Sequence, residues 1–91
     1  PLSRPMSKTL RILHVITTLD VGGAEMHLLS QVRGQCAAGA EVRVAYLKGH
    51  GTLAADFRAA GAEWVGQVPA ARPFGLWGHL RWARLVHSHL L

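Results

Sequence analysis

The 91 residues are enough for one small domain, a size that buries roughly 60–65% of its unfolded surface. Apolar residues make up 49% and charged residues 16%, a balance that excludes disorder and leaves apolar surface for a partner. The formal charge is +5, but the ten Lys and Arg stand singly, without a run and without stacked aromatics between them. Nucleic acid is therefore disfavoured, and the charge supports a weak preference for anionic ligands or anionic lipid.

No apolar run approaches the ~20 residues that span a bilayer. No continuous apolar stretch precedes Leu10 as a secretory leader would require. Residues 1–9 read as a flexible leader or tag, and residues 10–91 as the folded unit. The single cysteine, Cys36, cannot form an internal disulfide, so a reducing, cytoplasmic setting is expected.

Leu10 to Ile16 is a short apolar run suited to a strand buried on both faces, as parallel sheets require. It ends in Thr17-Thr18-Leu19-Asp20-Val21-Gly22-Gly23, a loop of hydroxyls, a carboxylate and two glycines. Met26, Leu28, Leu29, Val32 and Cys36 then recur at helical spacing, with Ser30, Gln31, Arg33 and Gln35 on other faces. Gly39 is placed to end that helix. Glu41 to Leu47 is a second strand, followed by the turn Gly49-His50-Gly51. Thr52 is expected to cap a short helix with Leu53, Phe57 and Ala60 on its apolar side and Gly61 at its end. Ala62 to Val68 is a third strand, weakened by Gly66. Pro69 to Pro73 reads as a linker. A further amphipathic helix is expected from Phe74 through Trp77, Leu80 and Arg84. Leu85 to Leu91 closes the sequence either as a fourth strand or, with no turn residue after Arg84, as a continuation of that helix.

Strands alternating with helices define an α/β layer on a parallel sheet, a partial Rossmann-like domain of three to four strands. Right-handed crossovers give strand order 3-2-1, and a fourth strand would lie beside the first, in order 3-2-1-4. Ligands of open α/β sheets bind outside the carboxyl ends of the strands where that order reverses.

The Gly22-Gly23 turn lies at that place. Its glycines permit close backbone approach, and the helix N-terminus offers free N–H groups and partial positive charge, which suits a diphosphate. A plain tight turn is the competing reading. The pattern is not G-x-G-x-x-G, and no acidic residue ends the second strand to take a ribose hydroxyl, so a nicotinamide or flavin site is disfavoured. Glu25, third in the helix, is expected to reach back to the cap N–H.

His87 and His89 would face one side of a strand and so one ligand, although a purely structural role also fits them. The sequence spacing supplies no third ligand, and no metal is expected. His14, inside an apolar strand, reads as a satisfied core histidine. His27 and His79 read as helix-surface residues, and His50, in a loop at the carboxyl end of strand 2, as a possible ligand contact. Trp64, Trp77 and Trp82 read as core or interface anchors, and Trp77 and Trp82 do not share a helical face.

Taken together, Ile12-Leu13-His14-Val15-Ile16, Gly22-Gly23-Ala24-Glu25 and the helix ending Ala38-Gly39-Ala40-Glu41-Val42 resemble the opening of family-4 retaining glycosyltransferases of the GT-B fold. Leu47-Lys48-Gly49, Leu53 to Gly61 and Val86-His87-Ser88-His89 continue the resemblance, which covers nearly everything from Leu10 onward. It rests on order and spacing rather than on any single motif.

The resemblance implies the N-terminal, acceptor-side domain of an enzyme that moves a sugar from a UDP- or GDP-type nucleotide-sugar to a saccharide or lipid-linked acceptor. Many such enzymes serve bacterial surface polysaccharide synthesis at the inner membrane face. Gly22 and Gly23 would contact the donor phosphates, with His87, His89 and His50 as acceptor-side candidates. No cofactor and no metal is implied. The C-terminal domain that holds the donor is not in this sequence, so the fragment is expected to be inactive alone. The alternative is a small α/β interaction module that self-associates through an open sheet edge.

Overall fold

A computed structural model describes residues 9–69 and 74–89. The expected leader and the expected linker fall largely outside these residues, as do Leu90 and Leu91.

The chain runs β1 (Arg11–Ile16), α1 (Gly23–Ala37), β2 (Glu41–Tyr46), α2 (Ala54–Ala59), β3 (Trp64–Gln67), α3 (Phe74–Trp82) and β4 (Leu85–His89). All three strand pairings are parallel, in the order β3-β2-β1-β4. This is the α/β architecture and the strand order expected from the alternation of elements.

Two apolar layers follow from the alternation of side chains along β1. Ile12 and Ile16 pack with Leu28, Leu29 and Val32 of α1 and Phe57 of α2. Leu13 and Val15 join Ala45 and Val68 on the opposite face, beneath Leu76, Leu80 and Trp82 of α3. The right-handed crossover rule puts α1 and α2 on one face. The path from β3 back past β1 to β4 reverses direction, so the same hand puts α3 on the other. The α3 face is thinly covered, because no α3 residue is fully buried.

Several local expectations change. Met26 is 47% exposed, whereas Gln35, assigned to another face, points inward to His14; α1 turns so that Leu28, Val32 and Gln35, at i, i+4 and i+7, form its inner stripe. Thr52 does not cap α2. Its hydroxyl and its N–H both go to the Asp20 carboxylate, at 3.0 and 3.3 Å, and Leu53 takes the cap position without a side-chain bond. α3 stops at Trp82 rather than Arg84, because the Arg84 N–H donates to the Arg11 carbonyl at 2.8 Å and starts the β4 ladder. The last turn of α1 closes as anticipated: Gly39 adopts φ +98°, the left-handed conformation that a side chain would disfavour.

Candidate functional site

The loop after β1 is stitched to the loop after β2. The Leu53 N–H donates to the Leu19 carbonyl at 2.8 Å and the Lys48 N–H to the Thr17 carbonyl at 3.0 Å. The Thr52 bonds to Asp20 stabilise its charged form and hold its carboxyl below the usual carboxylate range, aided by the nearby His50 backbone. His50 is exposed at this rim.

Gly22 is the N-cap of α1 and Gly23 its first residue. The first intrahelical bond runs from the Met26 N–H to the Gly22 carbonyl, at 3.0 Å. The N–H groups of Gly23, Ala24 and Glu25 therefore precede the helical ladder, as at any helix start. The two glycines differ in surroundings. A Cβ on Gly23 would meet nothing within 4 Å, whereas one on Gly22 would stand 2.7 Å from Glu25 Oε1. Glu25 does not close a capping box. Its Oε2 accepts the Thr18 hydroxyl at 2.6 Å, which holds the carboxylate beside Gly22. Gly23 is thus the more open approach, and Asp20 and Glu25 flank the turn with negative charge.

The pair His87 and His89 lies on β4, which is a strand and not a continuation of α3, beside β1 in the register His14↔His87 and Ile16↔His89. Paired residues in parallel strands share a face, so His14, His87 and His89 all project toward the α1 side. One ring nitrogen from each lies within 4.8 Å of the others. The ring centroids of His87 and His89 are 4.1 Å apart, and those of His14 stand 5.4 and 5.3 Å from them.

His14 is fully buried with both ring nitrogens engaged. Nε2 faces Gln35 Oε1 at 2.8 Å, and Nδ1 faces His89 Nε2 at 3.2 Å. An amide oxygen only accepts, so His14 carries its proton on Nε2 and presents the lone pair of Nδ1 to His89. Burial lowers the His14 pKa to about 4; the Gln35 bond acts in the opposite direction, and His89 and His87 add to the lowering. Burial also lowers that of His89, with His87 and His27 contributing in the same direction.

His14 is therefore a core histidine as expected, but it also supplies the third imidazole that sequence spacing did not reveal. Its parity with Ile12 and Ile16 was the available signal, since it placed the ring on one face of the strand that β4 would join.

His27 is exposed as expected. His79 is not a free surface residue: its ring stacks 4.0 Å from Trp64, and Nδ1 faces Arg43 Nη1 at 3.1 Å. Arg43 also lies 4.0 Å from the Trp82 ring and forms an ion pair with Glu63 at 2.8 Å. Trp64 and Trp82 thus anchor the α3 face, while Trp77 is 62% exposed.

Compared with family models, with curated proteins and with solved structures, the chain matches none. No helix among the described residues is long and apolar enough to cross a membrane.

Proposed function

We propose that this chain is the acceptor-side, N-terminal part of a nucleotide-sugar glycosyltransferase of the GT-B type. In that role it would meet a UDP- or GDP-linked donor and a saccharide or lipid-linked acceptor, at the cytoplasmic face of a bacterial membrane. The observation that carries the reading is topological. In the order β3-β2-β1-β4, the Gly22-Gly23 turn follows β1 and His89 ends β4, so both flank the point where strand order reverses and ligands of open α/β sheets bind.

The open space over Gly23 and the unladdered N–H groups of α1 suit a diphosphate oxygen. Asp20 and Glu25 beside the turn make that contact weak for an isolated anion. Most of the donor affinity belongs to the partner domain of such enzymes.

Titration calorimetry of the chain with UDP and GDP, in metal-free buffer, tests the reading. Weak binding is expected. Gly22→Val should abolish it by driving the Glu25 carboxylate toward the phosphate position, and Glu25→Gln should strengthen it by removing a repelling charge. Silence with both nucleotides for the chain and for Glu25→Gln would remove the diphosphate site.

A second reading rests on β4 as an edge strand of the described sheet and on the exposure of Leu85, Val86, Phe74 and Trp77. Such an edge pairs readily with another chain. Concentration-dependent association in sedimentation, without nucleotide binding, would favour this interaction module over the glycosyltransferase part.

A further inference from the structure

We propose that His14, His87 and His89 form a binding site for a borderline divalent transition ion, of which Zn²⁺ is the representative. The proposal stands apart from the glycosyltransferase reading and requires neither nucleotide nor acceptor.

The geometry points there first. A tetrahedral ion holds imidazole nitrogens at about 2.0–2.1 Å, so two ligands of one ion stand about 3.3 Å from each other. His14 Nδ1 and His89 Nε2 are already 3.2 Å apart. The third imidazole has its ligand atom within 4.8 Å of both. His87 is exposed, so its side chain can swing the remaining distance without disturbing the core.

The second observation is the group behind His14. Metal-bound histidines commonly donate the other ring N–H to an oxygen acceptor that fixes tautomer and orientation. Gln35 Oε1, 2.8 Å from His14 Nε2, fills this place. It directs the unprotonated Nδ1 of a fully buried ring toward the other two imidazoles. Gln35 and His89 already satisfy both nitrogens of His14, and His87, on the same face with its ligand atom within 4.8 Å of the other two, is not needed for that.

The donor chemistry defines the ion. Three neutral nitrogens suit Zn²⁺, Co²⁺, Ni²⁺ or Cu²⁺, whereas Mg²⁺ and Ca²⁺ require oxygen ligands. The backbone explains why the site forms on two strands. β1 delivers one ligand and β4 two, and the parallel register brings them level only once β4 has paired. The exposure of His87 leaves the outer side of the cluster accessible to solvent, so a fourth coordination position would be taken by water or by a small ligand. A three-nitrogen ion with one open position is a coordination type able to bind an exogenous anion.

The test uses the full chain, stripped with EDTA and titrated with ZnCl₂ in a non-coordinating buffer, with Co²⁺ as the optical probe. One ion per chain is expected, together with the visible d–d absorption of low-coordinate Co²⁺. His87→Ala and His89→Ala should each weaken Zn²⁺ binding at least about tenfold, and Gln35→Leu by about ten- to a hundredfold. His50→Ala and His79→Ala should leave affinity unchanged.

Far-UV circular dichroism of each variant separates lost ligation from lost folding, and His87, being exposed, is the variant expected to fold normally. No saturable Zn²⁺ binding, or binding undiminished in folded His87→Ala and His89→Ala, would overturn the proposal. The nucleotide titrations are run without metal, so the two readings fail independently.

Discussion

His14 Nδ1 lies 3.2 Å from His89 Nε2, although 75 residues separate them in the chain. The contact is made by the pairing of β1 with β4, and Gln35 of α1 holds the far side of the same ring. One imidazole therefore links the first strand, the first helix and the last strand.

Loss of the Gln35 contact should be felt in stability as well as in metal binding. Gln35→Leu leaves the His14 N–H buried without an acceptor, which costs about 1–3 kcal/mol. Urea unfolding of the metal-free protein at neutral pH should show the midpoint falling accordingly. An unchanged midpoint would mean that His14 finds another acceptor.

Stability should also fall in mild acid. Folding lowers the His14 pKa from 6.5 to about 4, so the buried ring resists a proton that the unfolded chain accepts. Above pH about 6.5 both states hold neutral imidazole, and the contribution is fully retained. As pH falls from there toward about 4 the unfolded state is progressively favoured, by about 3 kcal/mol over the whole interval. Folded His79 and His89 shift in the same direction. Urea unfolding at a series of pH values, with EDTA present, should give a slope that His14→Gln reduces. An unchanged slope in that variant would assign the acid sensitivity to other groups.

Two glycine substitutions should act with opposite sign. Gly34 lies inside α1, where a Cβ would meet nothing within 4 Å, so Gly34→Ala should stabilise by about 0.5–1 kcal/mol. Gly61 has φ +113°, and its Cβ would stand 2.9 Å from that of Cys36. Gly61→Ala should destabilise by about 1–3 kcal/mol through strain. Thermal unfolding of the pair reads both signs.

The two phenylalanines should likewise separate. Phe57 is fully buried between α2 and the sheet, while Phe74 is 88% exposed. Phe57→Ala should cost about 3–5 kcal/mol, a large part of what a small domain possesses. Phe74→Ser should stay within about 0.5 kcal/mol. In sedimentation, Phe74→Ser should reduce any association through the α3 face, which would show that the exposed ring serves contact rather than folding.

The elements and their order could be read from local patterns. Continuous apolar runs marked β1 and β2, the glycines marked helix ends, and the alternation of strand and helix left few topologies once crossover handedness was imposed. The boundaries that shifted did so because tertiary bonds competed with local ones. Asp20 drew Thr52 away from capping α2, Thr18 drew Glu25 away from the α1 cap, and Arg11 ended α3 early. In each case a group outside the helix offered the hydrogen bond that a helix neighbour would have supplied, from 32 residues away for Asp20 and seven for Thr18.

Sequence alone was enough for the parallel α/β layer, the order β3-β2-β1 and the Gly22-Gly23 turn at a helix start, because these follow from periodicity, backbone freedom and chain handedness. That Leu85–His89 is a strand at all was decided by the tertiary structure. The tertiary structure decided the register of β4 against β1, the inward turn of Gln35 and the meeting of His14, His87 and His89. Register depends on how side chains interlock across strands joined by long connections, and no local pattern encodes which residues will stand level. His14, which looked unrelated to His87 and His89 along the chain, joins them in one cluster for that reason.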